Sequence, residues 1–140
     1  MDKKCQKCKR SGRVISHGSC EGEALVSQKD ISFLGGVDPK TGIVIDEFSD
    51  IRGCCIKDKI LVFPKGKGST VGSYIILQLK KNGVAPLGII NKNAEVIVAI
   101  GAIISEIPMI EIDNINLIKT GDLVKIDATG KIGYVEITNL

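Results

Sequence analysis

The chain has no tryptophan, and only two tyrosines, three phenylalanines and one histidine among its 140 residues. Proteins that bind nucleic acid lay bases on aromatic rings along a basic groove, and a formal net charge of +3 with five aromatics supplies neither. No nucleic-acid partner is expected. No apolar run approaches the roughly 18 residues of a membrane-spanning helix, and the opening residues MDKKCQKCKR hold no apolar secretory core. The expected location is the cytoplasm, with no membrane partner.

Cysteine is present in an odd number, five, which argues for reduced thiols rather than a disulfide framework. Cys5 and Cys8 have the spacing of half a zinc site, but no second Cys-x-x-Cys follows. Only His17, Cys20 and the pair Cys54 and Cys55 could complete four ligands. The preferred reading is a polar, lysine-rich tail over residues 1–12 that carries two thiols, and no metal is assigned to this chain. His17 is read as a strand residue. Residues 13–140 suffice for one domain that buries roughly two-thirds of its unfolded surface without a disulfide or metal.

Glycine, by contrast, is abundant, with sixteen residues. The run Pro64-Lys65-Gly66-Lys67-Gly68-Ser69-Thr70-Val71-Gly72-Ser73 places a glycine-rich loop and two hydroxyls between two apolar patterns. Ile60, Leu61, Val62 and Phe63 before it read as a buried strand. Val71, Ile75, Ile76 and Leu79 after it recur at helical spacing until Asn82-Gly83, so a helix is expected over residues 69–81. A helix start leaves backbone N–H groups unpaired and carries partial positive charge, which favours a phosphate, a carboxylate or an alkoxide. The spacing is not that of a nucleotide-hydrolase phosphate loop, because no Gly is followed, after four intervening residues, by Gly-Lys-Ser or Gly-Lys-Thr. In the plainest reading Ser69 is an N-cap and the glycines form a tight turn.

Elsewhere, residues 13–19 and 23–26 read as strands broken by Gly18 and Gly22. Residues 31–42 hold three glycines and a proline, the composition of a shaped loop. A short strand is expected at 43–45, and 51–56 is left open between strand and turn. A buried strand is expected at 87–90, then a buried helix at 94–104 capped from Asn91 to Asn93, then a short strand at 108–111 and a connection at 115–118. Two turns, Lys119-Thr120-Gly121-Asp122 and Ala128-Thr129-Gly130, frame a terminal hairpin over 123–138. Helices falling between strands give a β-rich α/β domain.

Three blocks, Gly22-Glu23-Ala24-Leu25-Val26-Ser27, Phe33-Leu34-Gly35-Gly36-Val37-Asp38-Pro39-Lys40-Thr41-Gly42 and Gly66-Lys67-Gly68-Ser69-Thr70-Val71-Gly72-Ser73, together resemble the small subunit of aconitase X enzymes. The similarity continues through Ala99-Ile100-Gly101-Ala102-Ile103 and the Gly121-Asp122 turn, covering about residues 13–137 and leaving out the tail. The resemblance implies a swivelling β/β/α domain, like the mobile domain of aconitases. Such a domain closes over a 4Fe–4S cluster carried by a separate large subunit, and none of the five cysteines here matches the family's cluster ligands. It also implies that Ser69 is the proton acceptor in removing water from a phosphorylated hydroxy acid. The favoured substrate is (R)-5-phosphomevalonate, which would give trans-anhydromevalonate 5-phosphate. Within the family the alternative is cis-3-hydroxy-L-proline, and outside it a non-catalytic phosphate-binding module with Ser69 as a mere cap.

For Ser69 to act as a base its hydroxyl must be stabilised as an alkoxide. A helix N-terminus contributes about 0.3 to 2 kcal/mol, and one pKa unit is worth about 1.4 kcal/mol, so the dipole alone moves the hydroxyl by roughly one unit. Further donors are needed, and the N–H groups of Thr70 and Val71 together with Lys67 or a partner's arginine are the expected ones. Gly66, Lys67, Gly68, Thr70 and Val71 are accordingly expected to bind substrate. Gly35, Gly36 and Asp38 are expected to form a second wall, where glycine lets the backbone approach a ligand closely.

Overall fold

A computed structural model describes residues 6–139. Seven strands close into a barrel in the order β1-β5-β4-β3-β2-β6-β7. They are β1 (Gln6–Ser16), β2 (Gly18–Val26), β3 (Ile60–Phe63), β4 (Gly88–Asn91), β5 (Met109–Glu111), β6 (Leu123–Ala128) and β7 (Ile132–Asn139). Strands β2 to β5 are parallel neighbours, and the remaining pairs are antiparallel. Two helices, α1 (Gly72–Lys81) and α2 (Val96–Ile104), make the crossovers between β3, β4 and β5, as parallel neighbours require.

The central strands are buried on both faces, which is why they read as unbroken apolar runs. Alternate residues divide them between two cores. Ile60, Val62, Ile90 and Ile110 point into the barrel with Val124, Ile126, Val135 and Ile137. Leu61, Phe63, Ile89 and Met109 point outward and meet Ile75, Ile76, Leu79, Val98 and Ala102 of the helices. The helices lie side by side in the same direction, with Gly72 against Ile97 and Gly101 against Ile76. At Gly101 a Cβ would come within 2.6 Å of Ile76 Cδ1, so this close helix approach depends on glycine.

The expected tail is a strand over its described part. Residues 6–13 pair with β7 from Asn139 back to Ile132, so the boundary at residue 12 falls inside continuous β1. Its lysines alternate on the solvent face, Lys7 beside Glu136 at 3.5 Å and Lys9 over the Tyr134 ring, while Cys8 packs on the barrel core. The charge that reads as tail is the wet face of a strand whose partner lies at the other end of the sequence. Cys5 is outside the described residues.

Strand β2 runs through Gly22, and β1 stops at Ser16, so the interruption falls at His17. His17 is therefore a linker rather than a strand residue. Its Nδ1 lies 3.1 Å from the Ala128 carbonyl, which only accepts, so Nδ1 carries the proton. In the long connection 27–59, the expected strand at 43–45 is reduced to isolated bridges from Val44 to Val37 and from Ile43 to Cys55, and within 51–56 the first three residues are turn. Residues 115–117 form a single 3-10 turn. No helix among the described residues is long and apolar enough to cross a membrane.

Candidate functional site

Parallel strands β2, β3 and β4 all end at one pole of the barrel, and the loops leaving them meet there. The loop 64–71 after β3 is pinned from two sides. Ile31 forms a parallel bridge with Gly66, its N–H donating to the Lys65 carbonyl at 3.2 Å and its carbonyl accepting from the Lys67 N–H at 3.0 Å. On the other side Pro64 O accepts from the N–H groups of Lys92 and Asn93, and Gly66 lies against Val98 and Glu95 of the α2 start. Below, the buried Asn91 donates its side-chain N–H to the carbonyl of Phe63, the last residue of β3, at 3.0 Å.

The tip of the loop turns at Gly68, whose φ of +93° belongs to the left-handed region. A Cβ there would stand 2.4 Å from Ser32 Oγ, so the two loops fit together only with glycine. Ser69 follows, exposed. Its Oγ accepts a hydrogen bond from the Val71 N–H at 3.2 Å, and its carbonyl accepts from the Gly72 N–H at 2.9 Å. Helix α1 begins at Gly72 with Val71 at the N-cap position and no side-chain cap. Ser69 thus precedes the helix by three residues. It is a turn former rather than the helix's first cap, and the expected start at residue 69 is corrected.

That shift changes the supply of donors. The Val71 N–H, one of the donors expected for the Ser69 oxygen, is aimed at it and so is not free for a bound substrate, whereas the Thr70 N–H does not reach it. Among the described residues the N–H groups of Ser69 and Thr70 have no acceptor. Lys65 and Lys67 are exposed beside them. One backbone donor and the end of α1 face the region of Ser69 Oγ, which favours negative charge there but falls well short of an alkoxide.

The second expected wall divides. Ser32, Gly35 and Gly36 belong to this pole: the backbone of Gly36 packs on Ser32 and Gly35 is open to solvent. Asp38 does not. Its Oδ1 accepts from the Lys40 N–H at 2.9 Å within its own turn, and the adjacent Pro39 carbonyl accepts from Asn82 at the C-terminal cap of α1. A helix of ten residues is about 15 Å long, so Asp38 sits at the far end of α1 from Ser69.

Three contributors lacked a clear sign in the sequence. Glu95, rather than the residues 91–93 expected as caps, closes the start of α2 by accepting from the N–H groups of Ile97 at 2.9 Å and Val98 at 3.1 Å. Glu111 accepts from the Ala94 N–H at 2.7 Å and pairs with Arg13 at 3.1 Å. That N–H, and after it the guanidinium, hold its carboxyl below the usual carboxylate range. Ser32 was visible only as one polar residue in a glycine-rich loop.

The described cysteines are elsewhere. Cys8, Cys20, Cys54 and Cys55 are free thiols, and burial pushes Cys20 up to about 11. Among the described residues no three His, Cys, Asp or Glu groups come together as a metal site.

Residues 9–137 match the profile of the family described as Aconitase X swivel domain. The chain belongs to the aconitase X swivel domain family. Within it the chain is 57% identical over 132 residues to the phosphomevalonate dehydratase small subunit of Methanosarcina acetivorans, covering 92% of this chain and 90% of that protein. To the protein of the same name from Thermococcus kodakarensis it is 60% identical over 129 residues, covering 92% and 96%. A chain of the crystal structure of Thermococcus kodakaraensis aconitase X in its holo form superposes with a TM-score of 0.89 at 58% identity, covering 93% of this chain and 98% of that one. The swivel-domain fold expected from the sequence is therefore the fold observed, and the glycine loops of the resemblance are the two that meet at its pole.

Proposed function

We propose that this chain is the small subunit of a two-subunit dehydratase that removes water from (R)-5-phosphomevalonate to give trans-anhydromevalonate 5-phosphate. The observation that carries the reading is Ser69: an exposed hydroxyl, on a loop pinned from both sides, with a backbone N–H aimed at its oxygen. The high identity to relatives named phosphomevalonate dehydratase small subunit supports the substrate.

Dehydration of a β-hydroxy acid needs a base to take a proton from the carbon that bears the carboxylate while the hydroxyl departs from the next carbon. In this reading Ser69 Oγ takes that proton. The Val71 N–H steadies the charged oxygen, and Lys67 adds positive potential beside the loop. The N–H groups of Ser69 and Thr70 are free to hold an anionic oxygen of substrate. These supply part of the stabilisation an alkoxide needs, and the large subunit supplies the rest.

An aconitase-type iron–sulfur cluster is held chiefly by thiolates. The described thiols do not fit it, because they gather into no site. We assign the cluster to the large subunit. A cytoplasmic setting belongs to the same reading, supported by the unpaired state of Cys8, Cys20, Cys54 and Cys55. The nearly neutral charge balance supports the absence of a nucleic-acid partner.

The test is to purify the complex of this chain with its large subunit anaerobically and assay water loss. Turnover of 5-phosphomevalonate supports the reading. Turnover of cis-3-hydroxy-L-proline alone moves the substrate within the family, and dehydration by this chain without its partner contradicts the two-subunit account.

A further inference from the structure

Helix α2 is built inside out. Its nine residues, Val-Ile-Val-Ala-Ile-Gly-Ala-Ile-Ile, include no polar side chain. A helix on a protein surface turns its large apolar residues to the core and its polar ones to water. Here the buried face is mostly small, Val98, Gly101 and Ala102, while Val96 is 62% exposed, Ile100 45%, Ile103 53% and Ile104 49%. Those four stand at i, i+4, i+7 and i+8, one continuous stripe along the helix. An all-apolar helix belongs in a core, and half of that core is missing from this chain.

The stripe starts at the candidate site. Gly66 of the serine loop rests on Glu95 and Val98, and the Ser73 hydroxyl of α1 donates to the Ile97 carbonyl. Two further exposed apolar side chains flank the loop itself. Val71 is two residues beyond Ser69, and Leu34 is two residues beyond Ser32, which touches Gly68. The polar tip formed by Lys67, Ser69 and Thr70 is thus bordered by apolar surface. That is the arrangement of a site sealed against water by a second body.

We infer that the outward stripe of α2, continued by Val71 and Leu34 around the serine loop, is the surface on which the large subunit docks. The inference rests on the two-subunit reading above: the body that completes the site around Ser69 must approach this pole, and Val96, Val71 and Leu34 are the apolar groups it meets first. Lasting subunit interfaces resemble a domain core cut in half, and the Ile100, Ile103 and Ile104 side chains supply such a half.

The experiment is a binding titration of the full chain with the purified large subunit, comparing wild type, the double variant Ile100→Glu/Ile103→Glu, and Ile132→Glu. Ile132 is equally exposed but lies on the β6–β7 hairpin at the opposite pole. Circular dichroism and the melting midpoint establish that each variant is folded. The double variant is expected to bind on the order of 100-fold more weakly, as loss of a central apolar anchor does, with Ile132→Glu unchanged. Wild-type binding that the double variant retains overturns this inference and leaves the two-subunit reading intact. Absence of binding by the wild type overturns both. A homodimer of the free chain that the double variant dissolves assigns the stripe to a second copy and overturns the inference.

Discussion

The backbone N–H of Val71 donates to Oγ of Ser69 at 3.2 Å, and that is the one hydrogen bond this N–H makes among the described residues. Val71 has a φ of −64°, the value proline imposes. Val71→Pro therefore deletes the donor and keeps the φ of residue 71, but it also restricts Thr70, the preceding residue of the turn closed by the Gly72 N–H on the Ser69 carbonyl. Loss of a donor to a charged oxygen lowers kcat by about 100-fold to 1,000-fold. We expect a fall of that order in kcat, measured at large-subunit concentrations that saturate the complex because Val71 also borders the docking surface. Steady-state kinetics beside a binding titration check it.

Gly68→Ala attacks the same loop through its backbone. The residue combines φ +93° with a Cβ position 2.4 Å from Ser32 Oγ. A left-handed non-glycine residue costs on the order of 1 to 3 kcal/mol, so the melting midpoint falls and turnover with it. Adding Ser32→Ala recovers part of the loss only, because the Ser32 Cβ remains 3.1 Å away and the strain in φ persists. Thermal unfolding of the single and double variants separates the two contributions.

Asp38→Ala has the opposite signature. The side chain serves its own turn, so its removal costs about 1 kcal/mol of stability and leaves turnover per folded complex unchanged. A selective loss of kcat would return Asp38 to the site.

Acid acts on Glu111. Its folded carboxyl lies below the usual range because it accepts from the Ala94 N–H and pairs with Arg13. A depressed folded value means stability that is fully present above the unfolded pKa, near 4.3, and is lost as pH falls through the folded value. We expect Glu111→Gln to cost about 1 kcal/mol at neutral pH, discounted because Arg13 is exposed. Its melting midpoint should fall less steeply than that of the wild type below about pH 4, as a melting series across pH reads directly.

Much of this fold is legible along the chain because its central strands are short, apolar and bounded by turns. Ile60 to Phe63 reads as β3 without shift, and the terminal hairpin follows from its two turns. What was not legible depends on partners distant in sequence. Residues 6–12 read as a charged tail because the strand that satisfies them lies at 132–139. The start of α1 moved from Ser69 to Gly72 because the Ser69 hydroxyl turns to the Val71 N–H two residues on, a choice that propensity does not encode. At the candidate site, Gly66 to Val71 form one continuous loop, whereas Ser32, Glu95 and the separation of Asp38 come from loops meeting across the barrel pole. The run at 96–104 hid which of its faces is buried, since periodicity carries no signal when every position is apolar.

The central claim is that Ser69 supplies the base. The most direct measurement is the rate of water loss from 5-phosphomevalonate by the anaerobic two-subunit complex carrying Ser69→Ala, set against wild type with equal subunit association and melting midpoint. The account predicts a fall of roughly 100-fold or more, with stability within about 1 kcal/mol. Turnover within a few-fold of wild type would contradict it.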